Sequence, residues 1–63
     1  MTDSATKFRE EIEAFLRENE ISATAFGKKA MNDPKFVFDI REGRKPSLDA
    51  VDKVRAFMQS EAA

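Results

Sequence analysis

The apolar positions of the chain fall into four short periodic groups separated by polar punctuation. Phe8, Ile12, Phe15 and Leu16 stand at i, i+4, i+7 and i+8, with charged residues between them. That is the stripe of a helix with one buried face, and it predicts a first helix from about Ser4 to Asn19. Ala23, Phe26 and Ala30 make a second, shorter stripe at i, i+3 and i+7. Ser22 stands where a helix cap is needed, and Asn32 is a residue type that tolerates the left-handed turn that ends a helix. Gly27, inside this second helix, weakens it by about 1 kcal/mol relative to alanine, and a close helix crossing would account for it.

The pair Asp33-Pro34 predicts a third helix start, with a capping carboxylate followed by a residue whose missing N–H is not needed at the first helical position. Val37 and Ile40 then face inward with Phe36 at the edge of their face, Lys35, Asp39 and Glu42 face outward, Phe38 lies on the flank, and Gly43 ends the helix. Pro46 disfavours helix at Lys45. Ser47 can cap a last helix that carries Leu48, Val51, Val54, Phe57 and Met58 inward. The pattern therefore predicts an all-α fold, one bundle of four helices (five if the last one divides). It forms a single domain over residues 1–63, with loose ends at 1–5 and 60–63.

Composition narrows the chemistry. Neither cysteine nor histidine occurs in the 63 residues. Disulfides, the usual zinc sites and His- or Cys-dependent catalysis are thereby excluded. The carboxylates show no paired pocket pattern, so the expectation is no enzyme, no catalytic residue, no metal and no cofactor, and no small-molecule ligand is evident. The polar, acidic start is unlike a signal peptide, and no apolar run approaches the roughly 20 residues of a membrane span. A cytoplasmic protein is expected. A chain this short buries a modest share of its surface, and dimerisation would help it.

The formal charge of −1 hides an uneven distribution. Residues 1–21 carry a net −3, residues 22–46 a net +3 and residues 47–63 a net −1. The positive segment gathers Lys28, Lys29, Lys35, Arg41, Arg44 and Lys45 around Phe36 and Phe38. Such a segment suits an acidic partner.

Two short helices joined by a tight turn and flanked by helices that supply the core have the layout of a helix-turn-helix. Here the chain resembles the phage-repressor and Cro-like helix-turn-helix family. "ISATAFGKKA" matches that family's second helix, and Phe26 and Val37, eleven apart, match the two positions that hold its helix pair together. "FVFDIREGRKPSL" matches the end of the recognition helix and the Gly-basic-basic-Pro-Ser-Leu exit. The likeness spans about residues 8–58. Met31 and Asn32 depart from the usual Gly-apolar turn, which shifts the bend by one residue.

The resemblance implies sequence-specific binding of double-stranded DNA by a transcription regulator of repressor type. It would act as a homodimer on an inverted repeat, with the helix at about 33–42 in the major groove. By motif position, Pro34, Lys35, Phe38 and Asp39 would face the bases. Ser22, Arg41, Arg44 and Lys45 would lie near phosphates, with Lys28 and Lys29 either joining them or simply solvated. Lys35 can donate to guanine, Asp39 can accept from cytosine and Phe38 can meet a thymine methyl. Each has a plainer alternative. Phe36 belongs with the core, Phe38 can pack on the last helix or on a second subunit, and Lys35 and Asp39 can pair with each other. Two other functions stay open: an architectural or recombination-directing DNA-binding factor of a mobile element, and a protein-interaction module that docks an acidic partner.

Overall fold

A computed structural model of the chain describes residues 4–62. Four α-helices follow one another, α1 (Ser4–Asn19), α2 (Ala23–Met31), α3 (Phe36–Arg41) and α4 (Leu48–Ala62), with no strand among the described residues. The Cα radius of gyration is 10.7 Å, close to the ~10.6 Å of a fully packed chain of this length. No described helix is long and apolar enough to cross a membrane. Of the ends expected to be loose, residues 1–3 and 63 lie outside the described residues, while 4, 5 and 60–62 are helical.

The helix ends explain the element order. α1 stops where Glu20 turns left-handed, at φ 52°, and the Ile21 amide closes back on the Leu16 carbonyl at 3.1 Å. That is the bond by which a Schellman end satisfies an orphan carbonyl. The Ser22 hydroxyl accepts from the Ala25 amide at 3.1 Å, as expected of a cap. Asn32 ends α2 in the left-handed region, at φ 54° and ψ 34°. Gly43 ends α3 at φ 100°, and the Arg44 amide reaches the Asp39 carbonyl at 3.1 Å. The Ser47 hydroxyl caps α4 through the Ala50 amide, also at 3.1 Å.

α3 is shorter than the Asp33-Pro34 signal predicts. Pro34 and Lys35 belong to a turn, and regular helix begins at Phe36. The cause is the way Asp33 spends its backbone groups. Its amide points back to the Gly27 carbonyl at 3.1 Å and its carbonyl takes the Phe36 amide at 3.1 Å, a tighter i to i+3 closure than α-helix uses. Its carboxylate accepts from the Lys35 amide at 3.0 Å and so closes the turn, whereas the helix itself starts after Lys35 with no side-chain cap; the cap expected of Asp33 is not made. Gly27 is buried under this turn, and a Cβ there would run into the Asp33 carbonyl oxygen. The close approach inferred for the glycine is therefore made by the turn that follows its own helix.

Phe8, Ile12, Phe15 and Leu16 of α1, Phe26 of α2, Phe36, Val37 and Ile40 of α3, and Ala50 and Val54 of α4 form one buried cluster. Phe57, partly buried, packs against this cluster and meets Phe15 and Phe26 with ring centroids 5.5 to 6.1 Å apart across the three pairs, tilted or edge-on. Such ring pairs add about 0.5–1.5 kcal/mol each beyond their burial. Leu48 corrects the expectation for α4. It falls on the apolar stripe but is 84% exposed at the first turn of α4. Ala50 is buried in that turn instead.

Candidate nucleic-acid interface

α3 divides cleanly into two sides. Phe36, Val37 and Ile40 are buried, whereas Phe38, two residues on from Phe36, is 45% exposed. Pro34 and Lys35, in the turn before the helix, are exposed as well. The three residues expected to lead at the base edges thus share the solvent side. The fourth, Asp39, is half-buried and holds Arg44 across 3.2 Å, so it pairs with the exit loop and not with Lys35.

The basic candidates separate into engaged and free. Arg41 grips Glu13 of α1 with two hydrogen bonds, Nε to Oε2 at 2.6 Å and Nη2 to Oε1 at 2.8 Å. This bidentate arrangement is the fork geometry that guanidinium favours with carboxylate. The hydrogen bond from Arg41 holds the Glu13 carboxyl below its ordinary value of 4.5. Partial desolvation opposes this, and the charges of Arg41, Arg9 and Arg17 reinforce it. The same bond pushes the Arg41 guanidinium up. The Arg41 guanidinium also lies 5.6 Å from the centre of the Phe38 ring, which ties the exposed ring to α1 through one intermediary.

Lys28, Lys29, Lys35 and Lys45 are exposed and form no ion pair among the described residues. Lys45, Arg44, Asp39 and Asp33 share the walls of a shallow groove of about 350 Å³ between the α2–α3 turn and the α3–α4 loop. No ion pair joins Lys28 or Lys29 to the α3 candidates among the described residues. Ser22 is exposed at the start of α2 with its hydroxyl engaged by the cap.

No family model matches the chain, nor does any curated protein or solved structure. The site is therefore argued from its own chemistry. An exposed aromatic ring, an exposed lysine three residues before it and a lysine on the loop after the helix offer a π face and two cationic donors. Residue pattern alone missed Glu13, which stands 28 positions from the arginine it holds. On α1 it reads as one more acidic residue of a solvated face, and no local spacing points to its partner.

Proposed function

We propose that this chain binds double-stranded DNA sequence-specifically, with the turn and outer face of α3 in the major groove, and acts as a homodimeric transcription regulator on an inverted repeat. The observation that supports the reading is the division of α3: three apolar side chains anchor it while Lys35 and Phe38 stand outward. Lys35 serves as a donor to guanine, Phe38 as an apolar contact to a thymine methyl, and Lys45 as a phosphate contact. Two such helices in a dimer would read half-sites about 34 to 36 Å apart.

The test is selection of bound duplexes from a random pool, followed by anisotropy titration over a range of salt. Binding should weaken steeply with salt through counterion release. Lys45→Ala should weaken all duplexes alike, whereas Lys35→Ala should also flatten base preference, at a cost of about 1–3 kcal/mol on the selected site. Failure to find salt-sensitive binding to any duplex would remove the proposal.

A second reading draws on the engaged arginines. Arg41 and Arg44 are already matched by Glu13 and Asp39, which leaves the Phe38 ring as the prominent feature and suits a protein partner with an apolar pocket. Isolation of a hetero-complex that DNA does not dissociate, and that Phe38→Ala abolishes, would favour it.

A further inference from the structure

α1 has two differently charged flanks. Arg9, Glu13 and Arg17 stand at i, i+4 and i+8 and share the flank that meets α3, where Glu13 takes its two hydrogen bonds from Arg41. Glu11 and Glu18 lie on the other flank, where they wall a recess with Arg55 and Met58 of α4 and Glu11 pairs with Arg55 at 2.9 Å. The net −3 of residues 1–21 is therefore an average over two unlike sides.

Arg17 is exposed and Arg9 half-buried, and neither forms an ion pair among the described residues. Both act on the Glu13 carboxyl by charge, behind the hydrogen bond from Arg41. Arg9 also shares a small recess of about 60 Å³ with Arg44, lined further by Thr6, Ile40 and Gly43. Four guanidiniums, those of Arg17, Arg41, Arg9 and Arg44, thus follow the edge between α1 and α3, against two carboxylates that Arg41 and Arg44 already hold, Glu13 and Asp39. Two positive charges are left over.

From Arg9 to Arg17 the helix rises about 12 Å, a span in which one strand of a duplex presents several phosphates. A guanidinium is planar and offers a fork of donors that suits phosphate oxygens. An elongated row with surplus guanidinium fits a regularly charged polyanion better than a single anion. The row is continuous with the outer face of α3, because the Arg41 guanidinium lies 5.6 Å from the centre of the Phe38 ring.

We infer that Arg9 and Arg17, on the edge where α1 meets α3, form a second contact track for the phosphodiester backbone, beside the bases that α3 reads. The track presupposes the proposed binding of duplex DNA and gives it a footprint longer than α3 covers. It is blind to sequence, since phosphates carry no base information directly.

Titration of the selected duplex at several salt concentrations tests this, with the duplex in a long form and in forms trimmed from either end. Arg9→Gln and Arg17→Gln should each make the slope of log affinity against log salt shallower by about 0.9, the share of one phosphate, and should leave the ranking of base substitutions unchanged. Arg9→Lys should keep most of the slope, which separates charge from packing. Lys53→Gln removes an equal charge from α4, where the lysine faces Asp49 at 3.4 Å, and should leave the slope as it is. Trimming one end of the duplex should cost the parent more than it costs the double variant Arg9→Gln, Arg17→Gln. Arginine-variant slopes equal to the parent's or moved no further than that of Lys53→Gln, or trimming that costs parent and double variant alike, would overturn the track and leave base reading by α3 standing. A parent that binds no duplex overturns both.

Discussion

Arg41 and Glu13 lock α3 to α1 through two parallel hydrogen bonds of 2.6 and 2.8 Å, and the same guanidinium lies against the ring of Phe38. A carboxylate in this geometry occupies the fork that would otherwise meet a phosphate. Glu13→Gln should therefore loosen the guanidinium and make it available to DNA. The expected outcome is tighter duplex binding at low salt and a salt slope steeper by about one phosphate contact. Anisotropy titrations of parent and variant at several salt concentrations measure both.

The pair also sets a pH dependence. Glu13 has a folded value lowered from 4.5, so its contribution to stability is complete above about the unfolded value and fades as pH falls through the lowered folded one. Arg41 stays charged throughout. Both side chains are more than a third exposed or close to it, which limits the contribution to about 0.2–1 kcal/mol. The stability gap between parent and Glu13→Gln, from denaturant unfolding, should be constant near neutrality and shrink below about pH 4.5.

Phe36 and Phe38 should respond oppositely to truncation. Phe36→Ala removes a buried ring and should cost about 3–5 kcal/mol, enough to unfold much of a domain this small. Phe38→Ala should change stability by less than about 0.5 kcal/mol, apart from any loss of its contact with Arg41, while abolishing most binding to the selected duplex. Thermal unfolding and titration of the two variants together make the comparison.

Glu20 holds a left-handed conformation that a side chain disfavours. Glycine there relieves about 1–2 kcal/mol of strain and gives back part of it as unfolded-chain entropy. Glu20→Gly should stabilise the fold by roughly 0.5–1 kcal/mol, and Gly43→Ala should destabilise it by a comparable amount or more. Chemical denaturation midpoints would show both.

Gly27→Ala tests the turn. Helix propensity alone favours the alanine by about 1 kcal/mol, but the new methyl meets a backbone carbonyl that cannot rotate away. Net destabilisation of about 1–3 kcal/mol is expected. A stability equal to or above the parent's would show that the α2–α3 turn shifts easily.

Most of the architecture is legible in the residue pattern because its determinants are local. Ser22, Asn32, Gly43 and Ser47 each act within a few residues of their own position, and the four apolar stripes have one core to face. What the pattern misplaces depends on the surroundings. Leu48 keeps helical spacing and still stands in solvent, since periodicity gives the direction of a face and not what lies opposite it. The length of α3 was set by the tight closure at Asp33, which a Pro-containing start signal does not reveal. Within the candidate site, the outward placement of Lys35 and Phe38 follows from the inward placement of Val37 and Ile40. The engagement of Arg41 and Arg44 does not follow, because charged side chains choose partners by proximity in space.

Asp33 uses its amide, its carbonyl and its carboxylate within the span from Gly27 to Phe36. The hydrogen bonds at the joint between α2 and α3 are thus made by atoms that belong to ten consecutive residues. The outward side chains at 35 and 38 take no part in those bonds beyond the Lys35 backbone amide. New side chains can be grafted at both positions while the mounting keeps its shape, which makes this segment a cassette for altered recognition.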